Sequence, residues 1–403
     1  MQRRELESVR VGDVLGRSVV DADGRPLLRA GTMLTDAYLQ GLSRRGFYAV
    51  YVRDGLADDV APQEAISQRV RSSVTQHVGE AFSQVAAVAE ERGRGHGSAE
   101  QAIDDLGEQP LPVADAEGMV GALCSGVEDL LDELLEGSTV EGLESIKTHN
   151  RYTFEHSVDV AVVGALLGGR LGMPRSRLRE LALGCLLHDI GKTYIDVGIL
   201  DKPGRLTEEE FAAVKQHPRM GFELVRRMPI ASLLPAHVAY QHHERQLGGG
   251  YPRGLVGTNV VGSRLCAERP GSRQMLLIAE IGAVADVHSA LSSDRPYRPA
   301  LPPDVVAEEL DKMAGNHLNA ELVAVLRGLL PPYPVGRWVE VTAGPHRGHR
   351  GVVTEVHAGA VARPTVRLLL DDRGEELAEP DTLDLRRCPE VELRCSDPEP
   401  VLV

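Results

Sequence analysis

Histidines and aspartates recur through the middle of this 403-residue chain at spacings that would place them on successive helices. The set comprises His156, His188, Asp189, His217, His242, His243 and Asp286. Imidazole and carboxylate ligands without thiolates suit divalent Mn, Fe or Zn. A His-Asp pair at the end of an apolar helix is costly to bury unless the two groups are paired or coordinated. The pattern therefore predicts a metal site, in which the carboxylate of Asp189 could bridge two ions while His188 binds one of them.

A glycine-rich segment follows the His242-His243 doublet and ends in Gly250-Tyr251-Pro252. Adjacent residues of a helix point about 100° apart, so neighbouring histidines can serve different metals only at a helix end or across a cleft. The glycines permit a tight loop whose backbone approaches a ligand, and Tyr251 offers both a ring and a hydroxyl. The sequence therefore predicts a loop that lines the site.

The residues that must position this set lie in a stretch, from about residue 115 to 330, whose pattern is almost entirely helical. Helices are predicted at Glu155–Arg170, at Arg175–Leu187 after the break at Pro174, and at Met275–Ser289. Thr207 and Glu210 form a capping box, which predicts a helix that runs through His217.

The flanking sequence differs in character from this helical stretch. The predicted units are a small β-rich unit at residues 1–58, a helical linker or regulatory segment at 59–137, the metal-site domain at 138–332, and a small β-barrel-like module at 333–403. The last of these resembles SH3- and KOW-type modules. The expected architecture is therefore multidomain and mainly α, with a β module on each side.

Composition restricts the partners and the compartment. The formal net charge of −15 disfavours a stable nucleic-acid complex, because such binding needs many cations to neutralise phosphates. Five scattered cysteines without a CxxC pair indicate reduced thiols and so a cytoplasmic protein. The longest apolar run, Val158 to Leu167, is interrupted by Asp159 and is too short to span a bilayer, so no membrane association is expected.

The ordered blocks of the central stretch resemble the HD-GYP branch of the HD phosphohydrolases, helical metalloenzymes that cleave cyclic di-GMP. The resemblance covers about residues 149–330. Its blocks are Tyr152–Ser157, His188–Lys192, Lys202–Thr207, His217, His242–Arg245 with Gly250–Pro252, Asp286 and Ser293–Arg298. The Gly344–Gly348 turn of the C-terminal module is similar to KOW-type modules, which elsewhere bind proteins or nucleic acid.

The resemblance implies a role for each matching residue and a pair of metal ions. His156, His188, Asp189 and Asp286 correspond to the basic HD quartet, and His217, His242 and His243 to the ligands that complete a second metal site. Asp189 and Lys192 are the expected catalytic residues, Lys192 by contacting the scissile phosphate or the hydroxide beside it. Tyr251, Arg295 and Arg298 are expected to hold guanine or phosphate. The two divalent ions would be Fe or Mn, with Zn, Mg or Ni as alternatives.

Two positions depart from the family pattern. Some members carry a Glu, one turn before the first His, that binds a third metal, and Tyr152 stands at that position here, so we predict two metals. The family loop normally reads Asp-Gly-x-Gly-Tyr-Pro, and Leu247 stands where that Asp belongs. The Asp is not among the metal ligands, so its loss would affect loop geometry, substrate fit or partner contacts before it affects the chemistry.

The resulting hypothesis is hydrolysis of cyclic di-GMP to linear pGpG, with slower conversion to GMP, by in-line attack of water that two metal ions activate. Two alternatives stay open: a weakly active or inactive sensor or scaffold that binds cyclic di-GMP or a partner, and a hydrolase of another cyclic dinucleotide or nucleotide. Metal analysis separates the sensor from both enzymes, and a substrate panel separates the enzymes from each other. A GGDEF-domain or other signalling protein and a second copy of the chain are the partners considered.

Overall fold

The computed structural model describes residues 2–6, 8–20, 25–45, 47, 49–53, 55–60, 65–91, 103, 110–136, 152–202, 204–266, 271–293 and 300–396. Within these ranges, no helix combines the length and the apolar character needed to cross a membrane.

The N-terminal unit is a small β-rich fold with one helix. Its elements are strands β1 (Gln2–Glu5), β2 (Val19–Val20), β3 (Pro26–Leu28) and β4 (Ala49–Val52) and helix α1 (Asp36–Arg44). β1 pairs antiparallel with β4, and β2 pairs antiparallel with β3. Thr35 caps α1, because its side-chain oxygen accepts a hydrogen bond from the backbone N–H of Tyr38. Leu15, Leu34 and Leu42 are buried in the core of this unit.

Two long helices, α2 (Gln68–Glu91) and α3 (Ala116–Glu136), follow in the chain. Their apolar faces pack into the same hydrophobic core as the central helices, with Val70, Val74 and Val78 of α2 at helical spacing. Arg71 of α2 also donates a hydrogen bond of 2.6 Å to Asp159, which lies in the first helix of the central domain, and both side chains are largely buried. The segment that precedes the metal-site domain is therefore joined to it by a continuous core and a buried ion pair.

The central domain is a bundle of helices. Its helices are α4 (Tyr152–Arg170), α5 (Arg175–Leu187), α6 (Val197–Leu200), α7 (Glu208–Val214), α8 (His217–Val225), α9 (Leu234–Gln241), α10 (Gly262–Cys266), α11 (Leu277–Leu291), α12 (Pro303–Met313) and α13 (Ala320–Leu329), with a 3-10 helix at Ile190–Tyr194. Glycines let the inner helices approach closely: a Cβ at Gly184 of α5 or at Gly282 of α11 would lie 2.7 or 2.8 Å from a methyl carbon of Val238 in α9. This packing brings α5, α9 and α11 together around one point.

The helix that starts at the Thr207 capping box ends at Val214, so the prediction that it runs through His217 is wrong. Both hydrogen bonds of the capping box are present, as predicted. Pro218 explains the break, because proline has no N–H to continue a helix and instead favours the first turn of a new one. His217 therefore begins α8 and does not lie in the preceding helix.

The C-terminal module is an antiparallel sheet of strands β5 (Trp338–Ala343), β6 (Arg350–Glu355), β7 (Thr365–Leu370), β8 (Glu376–Asp384) and β9 (Glu392–Cys395). The predicted β module is present, but the strand order β8-β7-β6-β5-β9 leaves β8 and β9 at the edges, so its sheet is not closed into a barrel. Most side chains of β8 are exposed, which leaves this strand without the apolar inner face that closure would need. Ala57 and Val60, which follow β4 in the chain, are buried in the core of this sheet.

Candidate metal centre

Five elements of the central domain bring their histidines and aspartates to one point. α4 supplies His156, the end of α5 supplies His188 and Asp189, the start of α8 supplies His217, the end of α9 supplies His242 and His243, and α11 supplies Asp286. His188, Asp189, His217 and His242 are only 1–3% exposed, and His243 is partly exposed at the mouth of the cluster. The structure thus gathers all seven predicted ligand side chains into a single cluster.

Asp189 lies between two sets of imidazoles and presents a different oxygen to each. Its Oδ2 lies 3.4 Å from Nε2 of His188, and its Oδ1 lies 3.4 Å from Nε2 of His217 and 3.9 Å from Nε2 of His242. Lys192 donates to the Oδ2 atom over 2.6 Å. A carboxylate placed in this way could bind one ion through each oxygen.

On the other side of the cluster, His156 and His188 face Asp286. Nε2 of His156 lies 3.1 Å from Oδ1 of Asp286, and Nε2 of His188 lies 3.8 Å from the same oxygen. The other ring nitrogen of His156, Nδ1, is 2.9 Å from the hydroxyl of Ser289. Ser289 is three residues after Asp286 on α11 and hence on the same helix face.

Three of the histidines are oriented by a backbone carbonyl that lies three residues earlier in the chain. Nδ1 of His188, His217 and His242 lies 2.7, 2.7 and 2.9 Å from the carbonyl oxygen of the residue three positions earlier. A carbonyl can only accept a hydrogen bond, so Nδ1 carries the proton and Nε2 keeps its lone pair. Each Nε2 faces the centre of the cluster, which is the arrangement that supports metal-ligating histidines.

The donor set fits divalent metal ions. Donor atoms lie within 4.8 Å of one another in three overlapping groups: His156 with His188 and Asp286, His188 with Asp189 and His242, and His217 with His242 and His243. Nε2 of His188 and Oδ1 of Asp189 are buried and have no hydrogen-bond partner among the described residues. Buried polar atoms without a partner are costly, and coordination to a metal would satisfy both.

The electrostatics of the cluster favour coordination. Burial opposes the charge of Asp189, but the Lys192 ammonium and the nearby imidazoles outweigh it and hold the pKa of Asp189 well below its usual range. Burial lowers the pKa of His217 to about 3 and that of His243 to about 3. Burial also acts on His188, but the Asp189 carboxylate outweighs it and leaves the pKa of His188 raised. At neutral pH the centre therefore offers an ionised Asp189 and unprotonated His217 and His243, as metal binding requires.

The loop after the His242-His243 doublet folds back onto the cluster. Gly248 and Gly249 have φ values of +81° and +75°, a left-handed backbone that favours glycine. Tyr251 stacks its ring on His243, with ring centroids 4.7 Å apart, and burial raises the pKa of the Tyr251 hydroxyl. Leu247, which stands where the family Asp belongs, is 70% exposed.

Two predicted residues lie outside the part of the chain that the structure describes, and two buried residues near the cluster were not predicted. Arg295 and Arg298 lie outside the described residues, so their assignment to the substrate stays a prediction. Sequence reasoning gave no role to Ser289 or Glu244, although both are buried beside predicted ligands. Ser289 could have been found from its position three residues after Asp286, which places both on one helix face. Glu244 could not, because its hydrogen-bond partners, Arg253 and Leu255, lie at the far end of the loop.

Comparison with known proteins agrees with this geometry. Residues 153–291 match the family model of the HD domain, and residues 335–367 match that of the KOW motif. The chain therefore carries an HD domain followed by a KOW motif, as the resemblance led us to expect.

Three curated relatives share the central part of the chain. A cyclic di-GMP phosphodiesterase of Pseudomonas aeruginosa is 34% identical over 64% of this chain and 59% of its own length. The cyclic di-GMP phosphodiesterase response regulator RpfG of Xanthomonas campestris is 37% identical over 41% of this chain and 40% of its own length. The 3'3'-cGAMP-specific phosphodiesterase 3 of Vibrio cholerae is 34% identical over 45% of this chain and 36% of its own length. The chain thus spans less than two thirds of each of these relatives.

Proposed function

We propose that this protein is a metal-dependent phosphodiesterase that hydrolyses cyclic di-GMP to linear pGpG. The observation that carries the proposal is the position of Asp189, which turns one carboxylate oxygen toward each of two imidazole sets. Two of the relatives described above are named cyclic di-GMP phosphodiesterases, which supports the choice of substrate.

Two divalent ions would be held by this set, with Asp189 common to both. His156, His188 and Asp286 would complete the ligands of one ion, and His217, His242 and His243 those of the other. Fe and Mn are the proposed metals, and Zn, Mg and Ni are alternatives, because these ligand types accept several divalent ions. Bound ions would supply a water that ionises near neutral pH and would offset charge on the phosphate.

The chain's own residues position the phosphodiester and its developing charge. Lys192 is held beside Asp189 and is 30% exposed, so its ammonium can face both the cluster and a phosphate oxygen. Tyr251 covers the outer edge of the cluster at His243 and offers a protonated hydroxyl and a ring face to a base. Arg295 and Arg298 are proposed to bind guanine or phosphate, since the planar guanidinium binds phosphate oxygens in pairs. In the hydrolysis, water forms a bond to phosphorus as the bond to the 3' oxygen breaks, and that oxygen takes up a proton.

An inactive sensor is the less favoured alternative. Binding alone requires neither seven converging metal-ligand side chains nor a carboxylate shared between two sets. Leu247, the residue that departs from the family pattern, is largely exposed and is not one of the seven ligand side chains. Its replacement of Asp therefore leaves the proposed metal ligands in place.

The organisation of the chain is proposed as in the sequence analysis, with units at residues 1–58, 59–137, 138–332 and 333–403. A cytoplasmic location, a homodimer and contact with a GGDEF-domain or other signalling protein also stay proposals.

A substrate panel tests the choice of nucleotide. Purified protein with Mn²⁺ should hydrolyse cyclic di-GMP faster than 3',3'-cGAMP or cyclic di-AMP, with pGpG as the first product by chromatography. The cGAMP-specific relative makes this comparison necessary. Faster hydrolysis of 3',3'-cGAMP or cyclic di-AMP would keep the enzyme class and reject cyclic di-GMP as the preferred substrate.

A further inference from the structure

His243 is held differently from the other histidines of the cluster. His188, His217 and His242 are each oriented by an Nδ1–carbonyl hydrogen bond, and His156 by Ser289. Among the described residues, His243 has no comparable hydrogen bond. Its ring instead contacts other rings: it stacks on Tyr251, with centroids 4.7 Å apart and ring planes 29° from parallel, and it lies beside the rings of His217 and His242.

The position of Tyr251 is fixed by the loop that carries it. The Tyr251 backbone N–H donates to the His243 carbonyl over 3.2 Å. A Cβ at Gly250 would lie 2.5 Å from Glu244 Cα and 2.5 Å from the His243 carbonyl oxygen, so only glycine allows the loop to lie flat on this backbone. The loop therefore holds the Tyr251 ring over the His243 ring.

Glu244 holds the two ends of the same loop together through hydrogen bonds. Its side chain is buried, and each carboxylate oxygen accepts a backbone hydrogen bond, Oε1 from Arg253 over 2.7 Å and Oε2 from Leu255 over 2.8 Å. Glu244 thus ties the residue after His243 to the chain just beyond Tyr251 and Pro252. Because both oxygens are used as acceptors, an amide in place of the carboxylate would turn an N–H₂ donor toward a backbone donor.

We propose that Tyr251 and Glu244 are positioning residues for His243: Glu244 clamps the loop, and the Tyr251 ring fixes the orientation in which His243 binds the metal on the His217–His242 side. This inference rests on the proposed function for the identity of the metal site, and it gives Tyr251 a task beyond contact with the nucleotide. It also couples the substrate-lining loop to one of the two metals, because a displaced loop releases the His243 ring.

Metal binding without nucleotide tests the inference. Bound Mn²⁺ per chain is measured against free Mn²⁺ by equilibrium dialysis for wild-type, Tyr251→Leu, Tyr251→Phe and Glu244→Gln proteins. Tyr251→Leu should keep one ion and bind the other about 10–100-fold more weakly, the usual effect of losing a group that orients a ligand. Tyr251→Phe keeps the ring and should bind both ions as wild type does, and Glu244→Gln should weaken one ion by about 10-fold.

The matched control is Phe222→Leu, which removes a ring that contacts His237 and Tyr240, outside the cluster. It should leave both Mn²⁺ affinities unchanged. Unchanged binding in Tyr251→Leu would overturn the role of the ring, and so would an equal loss in Tyr251→Phe. Unchanged binding in Glu244→Gln would overturn the clamp. If wild-type protein binds two ions but hydrolyses no cyclic dinucleotide, the proposed function fails while this test remains valid.

Discussion

Asp189→Ala protein is expected to lose both metal and turnover, with hydrolysis of cyclic di-GMP falling by more than about 10³-fold, beyond the cost of removing a single stabilising donor. Asp189 is the carboxylate that approaches both imidazole sets, so its removal takes a ligand from each proposed ion. The substitution also removes the carboxylate that lies 2.6 Å from the Lys192 ammonium. The unpaired ammonium would then repel metal cations from the cluster. Metal analysis after dialysis and product chromatography measure the two losses.

Asp196→Ala is the matched control for this variant. Asp196 is the next aspartate along the chain, and its side chain caps α6 by accepting from the Gly198 backbone N–H over 2.6 Å. The substitution should remove only the capping hydrogen bond to Gly198 and leave metal content and turnover near the wild-type values. Retention of metal and activity in folded Asp189→Ala protein would contradict the role proposed for the carboxylate.

The second large effect is expected from Gly191→Ala, in the 3-10 helix that follows Asp189. A Cβ at this position would lie 2.6 Å from the Gly221 backbone nitrogen and still closer to the His217 carbonyl oxygen. Both atoms belong to the backbone of α8, so the 3-10 helix and α8 would have to separate. We expect the free energy of unfolding to fall by about 3 kcal/mol, as for severe overpacking. Activity should fall as well, because the same movement takes His217 away from Asp189.

Urea unfolding of the metal-free proteins measures the change in stability. Gly328→Ala is the control, because a Cβ at Gly328 in α13 meets no atom within 4 Å. Alanine is the better helix former, so this variant should match wild type or gain up to about 1 kcal/mol. A Gly191→Ala protein as stable as Gly328→Ala would show that the close contact between the 3-10 helix and α8 is not needed.

Local features of the fold could be predicted because their causes are close in sequence. The bounds of α5 follow from Pro174 before it and the polar His188-Asp189 pair after it, and the Thr207 capping box has both of its hydrogen bonds. The errors arose where a more distant or competing feature decides the structure. Pro218 ends the helix before His217, and the sheet of the C-terminal module is open at β8 and β9.

The same division applies to the site. The types and order of the predicted ligand residues follow from the sequence, and the structure brings those side chains together. The hydrogen bonds that hold these side chains and the adjoining loop in place could not be predicted, because they join residues that are distant in the sequence. Examples are Ser289 with His156, and Glu244 with Arg253 and Leu255. The expected roles of Arg295 and Arg298 stay predictions, because both residues lie outside the described part of the chain.

Chromatography of the products formed from cyclic di-GMP, with anaerobic Fe²⁺ or Mn²⁺ and with chelator, tests the central proposal most directly. We predict that pGpG forms with metal, that chelator abolishes its formation, and that added Mn²⁺ restores it. Absence of pGpG from protein that demonstrably holds its metal would contradict the proposal and favour the sensor or a different substrate.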